Sequence, residues 1–195
     1  MNWKALAFVA VVGFGLWQHL QQRPVTHGPG VIAAQVPAQG DTSAPGFAFK
    51  GYTLQPLQDF RIEARVLAAE TYRSDREAEL SPVDLALGWG RMSDSAVLDQ
   101  IRISQSGRFY FWRVEDFPIP RQEIERSSAN MHLIPASDAI ERRLKAVRPG
   151  QTVRIGGWLV EAQARDGWHW RSSLTRNDTG AGACELIFVR DLQVR

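Results

Sequence analysis

Between Phe60 and Val66 the chain alternates without exception: Phe60, Ile62, Ala64 and Val66 are apolar, while Arg61, Glu63 and Arg65 are charged. Successive side chains of a strand point to opposite faces, so a period of two buries one face and wets the other. A helix would spread the same residues around its circumference. The segment is therefore a half-buried strand, and the rest of the chain must supply a sheet for it to join.

Other segments offer partners. Ile101 and Ile103, the turn Ser106-Gly107 and the run Phe109-Tyr110-Phe111-Trp112 with Val114 read as a hairpin. Its second strand is apolar on both faces, which places it centrally in a sheet. Met131 to Pro135 and Leu186 to Val189 read as short buried strands, and residues 152–164 and 168–174 flank the turn pair Asp166-Gly167 as a hairpin, with a bulge at Gly156-Gly157. Helices are expected at Ser81–Gly88, where Ser, Pro and Gly punctuate the run, after Ser93 or Asp94, and at Arg121–Ser128. A fourth follows the capping-box pattern of Asp138 to Glu141, with Ala136, Ile140, Leu144 and Val147 on one face, and stops at Pro149-Gly150. The pattern predicts a mainly β or α+β domain: a small, partly open OB-like barrel or a twisted antiparallel sheet with two or three short helices.

The N-terminus has a different character. Ala5 to Trp17 is a run of thirteen apolar residues, bracketed by Trp3 and Trp17 and followed by Gln18, His19, Leu20, Gln21, Gln22 and Arg23. About 20 helical residues span a bilayer comfortably, so the run is near the lower limit of a transmembrane helix. The zone after it lacks the small residues of a cleavage site, which favours a retained signal anchor over secretion after cleavage. Lys4 precedes the run, and after Arg23 no Lys or Arg occurs until Lys50. The positive-inside rule then puts the N-terminus in the cytoplasm and the domain in the periplasm, single-pass at the inner membrane. Residues 24–47, rich in Pro and Gly and almost uncharged, are expected as an extended tether between the anchor (1–23) and the soluble domain (48–195).

Composition narrows function more than it defines it. The 23 basic and 21 acidic residues are intermingled, giving a net charge of +2 without a basic stripe, so nucleic acid is not an expected partner. The single cysteine, Cys184, rules out an internal disulfide and any multi-cysteine metal site, and no cofactor motif is present. Seven Trp, nine Phe and three Tyr favour strands over a helix bundle.

Two sequence strings invite a catalytic reading. Asp178-Thr179-Gly180-Ala181 resembles the catalytic turn of retroviral-type aspartic proteases; there the motif follows a hydrophobic strand, whereas here it follows Thr175-Arg176-Asn177 and comes late in the domain. A Gly-rich loop joining two strands accounts for it. Cys184, His169 and Asp178 suggest nucleophile, base and orienter, but on paired strands Cys184 and His169 would lie five positions apart, roughly 17 Å at about 3.4 Å each. A dyad needs about 3 Å. His132 is the other histidine of the domain that such chemistry could use.

The expected binding surface lies elsewhere. Residues 72–94 place Arg73, Asp75 and Arg76 before Gly88-Trp89-Gly90-Arg91, and Trp and Arg dominate binding hot spots. Trp170, Arg171, Arg176 and Asp178 extend the candidate surface, with Trp168 beside it. The plain structural alternative is an Arg/Asp network closing one barrel end; a third is anion binding by Arg73, Arg91, Arg171 and Arg176 gathered on one face. The strings YRSDREAELSPVDLALGWGRMSD, ANMHLIPAS and SSLTRNDTGAGACEL resemble stretches of an uncharacterised family of membrane-anchored bacterial proteins. That resemblance implies a membrane anchor and carries over nothing catalytic. The expectation is a membrane-tethered periplasmic binding or assembly module with a protein or envelope-component partner; the alternative is a periplasmic hydrolase around His132, Asp178 and Cys184.

Overall fold

The alternating segment belongs to β3 (Tyr52–Thr71), a strand of 20 residues. In the computed structural model, which describes residues 8–9, 23–175 and 184–195, this strand organises a mixed sheet of eight strands. β3 pairs with β1 (Ala38–Asp41), β2 (Phe47–Phe49), β4 (Val83–Gly88) and β8 (Thr152–Gln163). β4 continues to β7 (Ser128–Pro135), β7 to β10 (Glu185–Val194), β10 to β8, and β8 to the short β9 (His169–Arg171). Only the β7–β10 pair is parallel. Because β3 pairs with both β4 and β8, the sheet curls back on itself and is partly closed, without being a regular barrel.

Three helices accompany the sheet: α1 (Ser95–Leu98), α2 (Arg121–Arg126) and α3 (Asp138–Lys145). Ser137 caps α3, its hydroxyl accepting from the Ile140 N–H at 3.3 Å. The interior holds Phe60, Ile62, Ala64 and Val66 of β3 with Leu85, Leu87, Leu133, Ile155 and Ile187 of its neighbours, and Leu144, Val147 and Trp89 fill it from the ends. Each fully buried aliphatic side chain contributes about 1.5–3 kcal/mol, so this cluster dominates stability.

Tyr52 and Leu54 share the parity of Phe60 and Ile62, yet they face an outer cluster with Val160, Ala162 and Phe188. A bulge between Pro56 and Gln58 against β8 is the reason. One extra residue exchanges the two faces of a strand. The expected irregularity at Gly156-Gly157 falls on its partner: the register shifts between Val189 and Asp191 of β10, and a Cβ at Gly157 would meet the Phe188 carbonyl oxygen at 1.9 Å.

Three expectations are corrected. Ser81–Gly88 is not a helix; Val83–Gly88 is a strand buried on both faces. Its Ser, Pro and Gly mark the ends of a strand as well as they would a helix, and a run this short has no decisive period. The hairpin of β5 (Arg102–Ser106) and β6 (Phe109–Arg113) is not central but forms a separate two-stranded ribbon lying outside the main sheet. β6 is apolar on both faces because one is half-buried and the other is exposed.

The third correction concerns residues 24–47, which do not run free as a tether. The Val25 N–H donates to the Pro149 carbonyl at 2.8 Å, and His27 Nε2 lies 2.8 Å from the Gly150 carbonyl oxygen. Gly30 N–H donates to Asp94, Ala33 N–H donates to Ser93 Oγ, and Ala33 is buried. Val25 crosses so closely that a Cβ at Gly150 would lie 1.8 Å from its carbonyl oxygen. Polar backbone groups with partners on the domain outweigh the extended preference of a Pro-rich composition. The segment is a strap that ends in β1 and β2. The expected anchor, 1–23, lies outside the described residues except at Phe8, Val9 and Arg23; among the described residues no helix is long and apolar enough to cross a membrane.

All three tyrosines of the chain hold their phenols neutral. Burial raises Tyr110 to about 12, burial and a 2.8 Å bond to Glu79 raise Tyr52, and burial with the neighbouring Asp84 charge raises Tyr72. An unfolded tyrosine ionises near about 10, so the unfolded chain releases these protons first. Stability is therefore intact below about pH 10 and falls as pH climbs towards the folded values. A titration by phenolate absorbance should rise late and steeply, together with loss of the β-sheet circular dichroism signal; independent ionisation near pH 10 of a still-folded chain would contradict this packing.

Candidate functional site

A charged residue inside a doubly buried strand is the feature that demands explanation. Asp84 is 0% exposed, the second residue of β4. Val83, Leu85 and Leu87 face the interior, so Asp84 faces the outer side, directly opposite His132 of β7 in the antiparallel register. His132 Nδ1 lies 2.9 Å from Asp84 Oδ2, in an approach bent away from in-line hydrogen-bond geometry. The other carboxylate oxygen is held by Arg108, whose Nη1 donates to Asp84 Oδ1 at 3.1 Å.

Arg108 sits at the tip of the β5–β6 ribbon with φ of 67°, next to Gly107. Its Nε and Nη2 donate to the two oxygens of Asp75 at 3.0 and 2.7 Å, and Nη2 also donates to the Ser81 carbonyl at 3.1 Å. The guanidinium lies 4.1 Å from the Tyr72 ring centre and 5.5 Å from that of Trp170. The backbone is tied as well: Arg108 N–H donates to Tyr72 Oη at 3.0 Å, and Asn130 Nδ2 donates to the Arg108 carbonyl at 2.9 Å. Arg108 thus binds two carboxylates, one carbonyl and two aromatic faces. Hydrogen bonds from Arg108 hold the Asp75 carboxyl below the usual carboxylate range, against a smaller opposing effect of burial.

Trp170 of β9 closes the cluster, 4.8 Å from the His132 ring. It adjoins Trp168 at 6.3 Å, over which the Arg76 guanidinium lies at 4.8 Å while Arg76 Nη2 donates to Asp166 at 2.9 Å. The loop after β3 and the β8–β9 hairpin are thereby drawn together over one face of the sheet.

The arrangement holds charge in place. Arg108 has its donors committed, and His132 has no polar partner besides Asp84 among the described residues. No group of three or more potential metal ligands occurs among the described residues. What faces outward is the other side of the ribbon: Phe109 is 45% and Phe111 51% exposed, while Tyr110 and Trp112 between them turn inward. Phe117, 53% exposed, meets Trp112 edge-on at 6.2 Å.

A groove of about 1060 Å³ lies on a different face, floored by Gly156 and Gly157 and walled by Asp59, Arg61, Arg154, Arg190 and Asp191. Two of its arginines have partners of their own. Arg154 donates to Glu63 at 2.8 Å, and Arg190 stacks on Trp158 at 4.2 Å.

Of the residues singled out in the sequence, the structure brings together Asp75 and Trp170 around Arg108, while Arg76 lies beside them over Trp168, bonded to Asp166. Trp89 is not a surface anchor: at 2% exposure it is part of the core. Arg91 lies apart, paired with Glu123, and Arg171 pairs with Glu161 at 2.5 Å. Arg91 and Arg171 are thus each matched to a carboxylate of their own, which removes them from the anion-binding arrangement. Arg73 is exposed on the loop after β3. Arg176 and Asp178 lie outside the described residues, and Cys184, half-buried, immediately precedes β10. The residues that sequence reasoning passed over are Arg108 and Asp84. Asp84 had a signal, because a lone carboxylate inside Val-Asp-Leu-Ala-Leu has to find a cation if that run is buried.

No family model, curated protein or solved structure matches the chain.

Removing one partner of a buried ion pair strands the other, at a cost of about 3–5 kcal/mol, whereas replacing both with apolar residues is close to neutral. Arg108→Met should therefore lower stability in urea melts by about that amount. Arg108→Met combined with Asp84→Leu should recover most of it. A single Arg108→Met variant that unfolds with the wild type would show that the pair is not what fixes this face.

Proposed function

We infer that the chain is a non-catalytic binding module, tethered at the inner membrane with its domain in the periplasm, which presents the β5–β6 ribbon to a protein partner. The observation that carries this reading is the ribbon itself: Arg108 locks its tip onto Asp84 and Asp75, and Phe109 and Phe111 are left facing out. Aromatic side chains on a rigid scaffold give contact area at low entropic cost, and adjacent exposed phenylalanines are the usual mark of an interaction site.

The finer reading of the fold supports the same conclusion. The ring order β3-β4-β7-β10-β8, the parallel β7–β10 pair and a helix between β7 and β8 fit an OB-like barrel. OB-folds bind oligomeric ligands on the face of their second and third strands, between two loops. The equivalent face here, on β4 and β7, is covered by the ribbon, which is inserted between those two strands. Recognition then passes to the ribbon's outer surface. The hydrolase alternative draws on His132, Asp178 and Cys184: Asp84 lies beside His132 as an orienter would, Asp178 lies outside the described residues, and the buried hydroxyl that meets the pair, Ser81 Oγ, contacts Asp84 Oδ1 at 3.4 Å.

Photo-crosslinking tests the reading in the full chain. A benzophenone amino acid at Phe111 should give a discrete protein adduct and one at Gln193 should not; Phe109→Ser with Phe111→Ser should abolish co-purification of that protein while changing stability by no more than about 0.5 kcal/mol. Retention of the same partners by the folded double variant would sink the proposal. Trp89→Ala is unsuitable as a probe, since emptying a buried Trp site costs about 3–5 kcal/mol by itself.

A further inference from the structure

The strap places one end of the domain beside the point where the apolar N-terminal run gives way to Arg23. Val25 N–H is bonded to the Pro149 carbonyl, His27 reaches Gly150, and Arg148 Nη1 donates to the Arg23 carbonyl at 3.5 Å. Only five residues separate Trp17 from Arg23. Fully extended, those six steps reach about 20 Å. α3 and the turn after it therefore cannot be far from whatever surface holds the apolar run.

That end is basic. α3 and its continuation carry Arg142, Arg143, Lys145 and Arg148, and Arg23 joins them. The nearby carboxylate Glu141 is already shared by Lys145 at 2.6 Å and Lys50 at 3.6 Å. Arg142 and Arg143 are exposed, and neither guanidinium makes an ion pair or hydrogen bond among the described residues. Cations at a helix C-terminus complement its dipole, which accounts for one such charge. It does not account for two unpaired arginines together with a third and a fourth outside the helix.

We propose that this face, formed by Arg142, Arg143, Arg148 and Arg23, lies on the anionic headgroups of the bilayer and fixes the domain's orientation. The proposal rests on the membrane-anchor reading of residues 1–23. Near an anionic surface each cation changes a contact equilibrium by about fivefold, and the effect extends only about 8–10 Å at ordinary salt. The strap keeps Arg23 no more than about 20 Å of chain from the end of the apolar run, so the patch can be brought within that reach.

The test uses the full chain with an environment-sensitive fluorescent amino acid at the exposed position Ala146, reconstituted in phosphatidylcholine vesicles with and without phosphatidylglycerol. The expected result is flotation with both, and a blue-shifted emission only with phosphatidylglycerol. High salt should reverse the shift, and Arg142→Ala with Arg143→Ala should lower the ratio of contacting to free domain about 25-fold while flotation is kept. Flotation with identical emission in both vesicles overturns the headgroup contact and leaves the anchor standing. Failure to float with either overturns the anchor reading, and this proposal with it.

Discussion

The burial of Asp84 is the constraint from which the outer layer of this protein follows. A carboxylate removed from water inside a sheet must be matched by a cation and by hydrogen bonds, or it would unfold the strand that carries it. His132, directly across the ladder, supplies a neighbour but no permanent charge. The permanent charge comes from Arg108, at the tip of an element that does not belong to the main sheet. To reach Asp84 the ribbon must fold back over β4 and β7, and once there its guanidinium also gathers Asp75, Tyr72 and Trp170. One buried charge thereby determines where two strands, one loop and one hairpin are placed.

This dependence also explains why a charge is retained where apolar residues would serve stability as well. An isolated two-stranded ribbon is marginal in water, and apolar contact by itself is non-directional. The small cluster beneath the ribbon, with Ile103 and Trp112 against Met92 and Ile124, would hold it to the sheet without fixing its register. A guanidinium in a fixed donor fork tolerates little sliding. The lock therefore supplies position, and position is what keeps Phe109 and Phe111 pointing outward.

Much of the framework was legible in the sequence. The period of two at Phe60–Val66, the Asp166-Gly167 turn and the short helices at Ser95, Arg121 and Asp138 depend on local chemistry, and local chemistry is what a sequence displays. The failures share a cause, which is that the deciding contact was distant along the chain. Val83–Gly88 is a strand because β3 and β7 lie on either side of it, a fact that its own punctuation does not contain. Residues 24–47 have the composition of a linker, and their partners Ser93, Asp94, Pro149 and Gly150 lie some 60 to 125 positions away. Trp89 between glycines looked like an exposed anchor; with its N–H bonded to Ser127 and its ring in the core, it ends β4 by filling the interior. Of the site, the loop residues Asp75 and Arg76 and the aromatic Trp170 were recognised, but Arg108, which joins Asp75 to Trp170, was passed over beside the Ser106-Gly107 turn.

Two points along β3 give these parts their order in space. Near Val66 the strand meets Gly150, against which the strap lies. Near Tyr72 it meets Arg108 and the ribbon tip. Six residues of strand separate the two, about 20 Å at 3.3–3.4 Å per residue. A strap bonded at Val25, His27, Gly30 and Ala33 fixes this part of the chain against the domain. The buried Asp84, opposite Glu70 of β3, lies towards the other end of the same stretch, where it holds the ribbon tip.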